Sequence, residues 1–478
     1  MKQTGESDQT IVLREWESHL QGEGFDGEQR EQRNKPRYCK TGEGVQTSLR
    51  AIEHKASEQP EYRFRNLYGM IDIEMLMLAW RQLNKKAAAG VDEVKAREYG
   101  QNLEANLDDL VERLKRGSYK AKLVRRKHIP KGNGKTRPLG IPTLEDRLLQ
   151  KAVTMLLEAV YEPTFLDSSF GYRPGRDGKK AVADFRDELQ FGDYEYIVEA
   201  DIKGFFNNLD WDWLVEMLEL RIDDRKLIRL IRKWLKAGIR EPEGMVINPL
   251  TGTPQGGIVS PILANVYLHY ALDLWVEKAV KPSMVGSMKY VRYADDFVCA
   301  FKNKEDAERF HRNLAGRLGK FNLEVAEEKT RILRFCREDE DNGAQRFDFL
   351  GFELYWGESR KGLPNLKRRT SPSRLRRSLK RMDEWIKSRR STKVDELIKQ
   401  LNNKLRGYYQ HYGVIGNWKS LGAFFFHVNK ICFKWLNRRS QKKSMTWPKY
   451  GKEFGSKLLT PKISERKCKQ KGFRFGTR

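Results

Sequence analysis

Three carboxylates carry the strongest chemical signal in this chain. Asp295 and Asp296 stand side by side in MKYVRYADDFVCAF (288–301), between two apolar runs of β character. Adjacent carboxylates in such a setting are costly unless they meet a cation or solvent. A third, Asp201, closes the run YIVEA (196–200) and precedes IKGFF. Strand-end carboxylates converging on one sheet are hard oxygen ligands suited to Mg²⁺, which keeps several waters and also takes substrate phosphates. Two such ions about 3.5–4 Å apart can activate a 3′-hydroxyl and stabilise a leaving pyrophosphate. An Asp-Asp pair alone is more often just a turn, so the neighbouring segments decide.

Those neighbours are specific. TGTPQGGIVSPILANVYL (251–268) sets Gln255, Gly256 and Gly257 in a loop ahead of a helix that starts near Pro261. Glycine permits close backbone approach to a ligand, and glutamine can hydrogen-bond a base or sugar. Upstream, IPKGNGKTRPLGIPT (129–143) puts Lys131 and Arg137 on either side of a flexible turn, where they can clamp a triphosphate. No G-x-x-x-x-G-K-[ST] occurs in it, which excludes a P-loop.

The elements that must position these groups follow from periodicity. Leu67, Ile71, Leu76 and Trp80 mark a helix face that ends by Gly90, and 101–115 and 144–159 also read as helical. Residues 122–129 read as a short basic strand and 131–135 as a turn. YEYIVEADI (194–202), the hairpin within 288–301, and the runs 332–336 and 346–356 are expected to converge on one sheet. Helices are expected over 211–237, 260–278 and 304–318, and 371–439 reads as wholly helical. Strands mixed with long helical crossings imply an α+β fold class, with α/β as the alternative. Residues 1–46 are polar and lack sustained periodicity, so they are expected to form an extension, disordered in part.

The charge is concentrated. The 478 residues carry a formal +27, with 39% hydrophobic and 11% aromatic residues, which excludes wholesale disorder and points to a polyanionic partner. Residues 359–390 hold 13 Lys/Arg against 2 Asp/Glu, residues 437–478 hold 14 against 2, and residues 118–137 hold 8 against none. The remaining 384 residues are near neutral. Aromatic rings interleave the blocks, an arrangement that suits RNA and single strands. Five scattered cysteines exclude a disulfide framework and a C-x-x-C zinc pair. No run of about 18 apolar residues is present for a membrane helix. The reading is a soluble, intracellular protein with no membrane and no zinc.

At this point the segments resemble a known family. SFGYRPGRDGKKAV (169–182), VEADIKGFFNNLD (198–210), TPQGGIVSPILANVYL and YVRYADDFV look like successive motifs of bacterial group II intron-encoded reverse transcriptases. NKKAAAGVD (84–92) is similar to their extra N-terminal motif, and LNNKLRGYYQHYG (401–413) to the signature of their maturase domain. The resemblance runs in order from about 47 to 440. It implies a right-hand polymerase: fingers and palm over 47–365 with a mixed or antiparallel palm sheet, a helical thumb and maturase domain over 366–439, and a basic tail over 440–478. It also implies that Asp201, Asp295, Asp296 and the Ile202 carbonyl hold two Mg²⁺ ions, with Mn²⁺ a possible substitute. Lys131, Arg137, Gln255 and Lys329 would meet the nucleotide, and Phe206, more than Phe205, would abut its sugar and exclude a 2′-hydroxyl. Nucleic-acid contacts would come from Arg125, Arg126, Arg368, Arg369, Arg376, Arg377, Arg406, Tyr408, Tyr409, Lys442 and Lys443.

The implied partners are group II intron RNA, an RNA template with a DNA primer, target DNA and dNTPs. The implied role is reverse transcription together with intron splicing and retromobility in the bacterial cytoplasm, in ribonucleoprotein or at the nucleoid. Two departures stand beside it. Many family members end in an HNH-type endonuclease with paired cysteines, whereas this tail has only Cys468, so second-strand cleavage is not expected. Residues 1–46 have no counterpart. Alternatives of other classes are a splicing maturase with little polymerase activity, for which an intact carboxylate trio is unexpected, and a host-adapted reverse transcriptase in defence or repair.

Overall fold

Asp72 and Thr143 each cap a helix by accepting a backbone N–H from the first turn, and these two caps frame the first half of the fold. The computed structural model describes residues 42–130, 136–337, 346–439 and 445–465. It divides into two compact units, one running through Asp177 with Ile197–Ile332, the other comprising Gly178–Tyr196 with Leu333 onward.

In the first unit, α1 (Gly42–Glu58), α2 (Ile73–Gln82) and α3 (Leu103–Lys115) precede the strands β1 (Val124–Pro130) and β2 (Thr136–Ile141). Helix α1 begins inside the segment expected to be an extension; residues 1–41 lie outside the described residues. The buried helix α4 (Leu144–Tyr161) follows. Helix α5 (Gly178–Phe191) belongs to the second unit. The chain returns through β3 (Tyr196–Asp201), a single turn α6 (Phe205–Asn208), α7 (Trp211–Glu219) and α8 (Arg225–Leu235). One helix is expected over 211–237; two form, because Asp224 caps the second by accepting from Lys226 and Leu227. Short strands β4 (Ile239–Arg240) and β5 (Val246–Ile247) then complete a sheet of order β2-β1-β4-β5.

Helix α9 (Ser260–Leu268) is buried on every side, and it continues through two π-helical turns at His269–Asp273 and Val276–Val280. The hairpin β6 (Met288–Tyr293) and β7 (Asp296–Phe301), helix α10 (Lys304–Gly319) and β8 (Arg331–Arg334) follow. The central sheet has the order β6-β7-β3-β8. Its inner strands are almost continuously apolar because both faces are covered.

In the second unit, β9 (Phe347–Phe349), β10 (Phe352–Glu358) and β11 (Pro364–Thr370) form a separate antiparallel sheet of order β11-β10-β9. This corrects the expectation that 346–356 joins the carboxylate-bearing sheet. Helices α11 (Pro372–Ser388), α12 (Val394–Tyr412), α13 (Trp418–Asn437) and α14 (Trp447–Glu453) complete the unit. Among the described residues no strand occurs after 370. Cys299 and Cys432 are buried thiols outside any disulfide.

Candidate active site and nucleic-acid interface

The carboxylates are set by the order of the central strands. Asp201 ends β3 and Asp296 begins β7, which lie side by side in the sheet. Asp295 occupies the two-residue turn between β6 and β7, where Tyr293 pairs with Asp296. Ala294, first in that turn, has a φ of 56°, a left-handed conformation costly for any residue with a side chain. Gly171 lies against the same turn so closely that a Cβ there would meet Ala294 N at 2.4 Å.

What holds the strained turn is Arg292. This guanidinium is completely buried, ion-paired with Asp273, and donates to Ala294 O at 2.9 Å and Ser169 Oγ at 2.8 Å. The sequence reading passed over Arg292; the available signal was a cation three residues before Asp295, set between Val291 and Tyr293.

Asp295 is 7% exposed, and its Oδ1 has no hydrogen-bond partner. Burial, then the nearby Asp296 and Asp201, push its carboxyl well above the usual range. Asp201 Oδ2 accepts from Lys329 Nζ at 2.5 Å, and Asp201 O accepts from Ala326 N. Ile202 forms a bridge with Val325. Among the described residues no group of three or more acidic, His or Cys side chains is arranged to grip an ion. The chemistry of the donors nonetheless fits a divalent cation: three mutually repelling carboxylates converge, and one oxygen is buried without a donor.

Arg137, almost fully buried, donates Nε to Gln255 Oε1 at 3.0 Å, and Gly140 N donates to Gln255 O at 2.6 Å. The segment carrying Gln255 is thereby fixed on β2, and Gly256 with φ 114° packs against Gly140 O. Phe206 O accepts from Thr253 N, tying α6 to that same loop. Lys131 lies outside the described residues. Phe205 packs at 1% exposure against Tyr267 and Phe206, so it belongs to the core and not to a nucleotide pocket. Phe206 meets Tyr172 edge-on at 6.4 Å. The Tyr172 hydroxyl is buried without a partner and feels the charges of Asp295 and Asp296; it is a site residue the sequence reading passed over.

Comparison with known proteins now bears on this geometry. The reverse transcriptase (RNA-dependent DNA polymerase) family matches residues 129–354, and the group II intron, maturase-specific domain matches residues 375–452. Protein YkfC of Escherichia coli (strain K12) is 32% identical over 343 residues, 64% of this chain and 87% of that protein. Group II intron-encoded protein LtrA of Lactococcus lactis subsp. cremoris is 29% identical over 469 residues, 81% of this chain and 76% of that protein. The chain belongs to the group II intron-encoded reverse transcriptases and maturases. The Putative COX1/OXI3 intron 1 protein of Saccharomyces cerevisiae is a further relative, 26% identical over 78% of this chain and 50% of its own length. As a member of this family the chain is an RNA-directed DNA polymerase and a splicing maturase, and the family uses divalent metal ions.

In this reverse transcriptase the expected RNA contacts divide sharply. Arg376 and Arg406 are exposed, and Arg377 is half-buried. Arg125 donates to Ala89 O, Arg126 pairs with Glu241, and Arg369 pairs with Glu353 at 2.5 Å over the Tyr355 ring. Arg368 is a correction: it is 2% exposed and ion-paired with Glu465 at 2.5 Å, which removes it from any RNA surface. Tyr408 and Tyr409 are also corrected. Tyr408 stacks on Phe424 at 3.6 Å and Tyr409 donates to Leu459 O, so both are core rings. Lys442 and Lys443 lie outside the described residues. No helix among the described residues is long and apolar enough to cross a membrane.

Proposed function

We propose that Asp201, Asp295 and Asp296, with the Ile202 carbonyl, hold two Mg²⁺ ions, Mn²⁺ being able to replace them, and that DNA is extended there on an RNA template. The observation that carries this reading is the buried, unpartnered Asp295 Oδ1 between two further carboxylates. Bound divalent ions would supply activation of the primer 3′-hydroxyl and neutralisation of the leaving pyrophosphate.

The side chains of the protein do the rest. Arg137, held by Gln255, meets the triphosphate with Lys131. Lys329, paired here with Asp201, would leave that carboxylate free to hold a divalent ion by swinging its flexible stem toward the nucleotide phosphates. Gln255 lines the pocket, and Phe206 sits against the sugar, where a 2′-hydroxyl would collide with the ring. Residues 47–365 act as fingers and palm, 366–439 as thumb and maturase domain, and 440–478 as a basic tail. The exposed cations Arg376 and Arg406, together with Arg377, Lys442 and Lys443, contact nucleic acid. Partners are group II intron RNA, an RNA template with a DNA primer, dNTPs and, for retromobility, target DNA, in the bacterial cytoplasm.

Primer extension on an RNA template tests the reading. Synthesis with dNTPs and Mg²⁺, strongly reduced with rNTPs and abolished by chelation, is expected. Extension that survives chelation would overturn it.

A further inference from the structure

Helix α8 has two faces of opposite chemistry. Leu227, Ile228, Leu230, Ile231, Trp234 and Leu235 are buried. Arg225, Lys226, Arg229, Lys233 and Lys236 are exposed and Arg232 is half-buried. At about 100° per residue all six cations fall within an arc of about 120°. No Asp or Glu occurs from 225 through 240. Three of the six are engaged within the chain, and only one of them by a carboxylate: Arg232 pairs with Asp212, Lys233 donates to Tyr119 O, and Arg229 donates to Arg225 O. Like charges three and four residues apart repel within a helix, so a plain solvated face gains nothing from this arrangement. The charge continues beyond the helix, because exposed Arg240 is the register partner of Arg125 in the β4–β1 pair.

We infer that this cationic face is a docking surface for the backbone of a double-helical segment of folded RNA. The inference rests on the reading that the chain binds RNA, and it adds a surface absent from the residues already assigned to that role. Charge complementarity selects a polyanion. The absence of an exposed ring on the helix selects a duplex, since single strands are held largely by stacking and the one aromatic of α8, Trp234, is buried. From Arg225 to Lys236 the ridge is about 17 Å long, enough to follow on the order of five phosphates of a stacked strand.

The test is binding of the full chain, without nucleotides, to an RNA hairpin and to an unstructured strand of equal length over a range of salt. The variant is Lys226→Ala/Arg229→Ala/Lys236→Ala, with Lys115→Ala/Lys320→Ala/Lys399→Ala as a control of equal charge change. The ridge variant should make log K against log salt shallower by about 2–3 for the hairpin, and less for the strand. Hairpin affinity at moderate salt should fall on the order of tenfold. A hairpin slope equal to wild type, a loss matched by the control, or an equal loss on both RNAs would overturn it. Glutamine in place of alanine at the three positions guards against loss of the helix, since all three side chains are exposed and thermal unfolding should be unchanged. Because no synthesis is measured, failure of the polymerase reading would leave this outcome standing, and the converse holds too.

Discussion

Arg292 and Asp273 form a completely buried ion pair, with Nε to Oδ1 at 2.7 Å and Nη2 to Oδ2 at 2.5 Å. Tyr290 also donates to Asp273 at 2.8 Å, and Arg292 reaches on to the carbonyl of Ala294. The pair therefore joins the π-helical turn after α9 to the hairpin tip that presents Asp295 and Asp296. Removing one partner leaves the other charge buried and unmatched, at about 3–5 kcal/mol. Asp273→Ala should lower unfolding free energy by that amount in denaturant titration and reduce primer extension. Unchanged stability would show that the pair is not what holds the turn.

The two adjacent phenylalanines should separate cleanly. Phe206→Ala is expected to reduce discrimination against ribonucleotides by about tenfold or more, measured as the ratio of kcat/KM for dNTP and rNTP. Phe205→Ala should instead cost about 3–5 kcal/mol of stability and leave that ratio intact. If the effects were exchanged, the assignment of Phe205 to the core would fail.

His269 supplies a pH signature. Burial depresses its pKa to about 4, against an ordinary value of 6.5, because the charged ring loses solvent. Asp273 opposes the shift, while Arg292, Arg173 and Lys278 reinforce it. The unfolded chain binds the proton more readily, so the stabilising contribution is full above pH 6.5 and is lost as pH falls toward about 4. The loss is on the order of 3 kcal/mol. His269→Gln should flatten this part of the stability profile; an unchanged slope would assign it to other groups.

The carboxylate strands were legible because β3 and β7 are covered on both faces, so apolar runs end abruptly at Asp201 and begin abruptly after Asp296. Strand β11 was hidden. Its buried positions are Leu366, Arg368 and Thr370, and an arginine reads as surface until its partner, Glu465, arrives 97 residues later. Tyr408 and Tyr409 failed for a related reason: helical spacing of rings gives no sign of which face is covered. The α8 ridge escaped a count by blocks because neighbouring acids, Asp223 and Asp224 among them, cancel it along the chain, although of its six cations Arg232 alone is ion-paired among the described residues, with Asp212.

Arg368 and Arg406 make opposite predictions. Arg368→Ala leaves Glu465 unmatched and should lower stability by about 3–5 kcal/mol without altering the salt slope of RNA binding. Arg406→Ala should leave stability within about 0.5 kcal/mol and make the slope shallower by about 0.7. With about eight cations engaged on a single strand, the wild-type slope should lie near about −6. Nearly salt-independent binding would contradict the charged track.

The most direct test is Asp295→Ala, assayed for Mg²⁺-dependent primer extension and, on the same preparation, for RNA affinity. Extension should fall to background while RNA binding stays within a few fold of wild type. Synthesis by the variant above background would contradict the carboxylate centre.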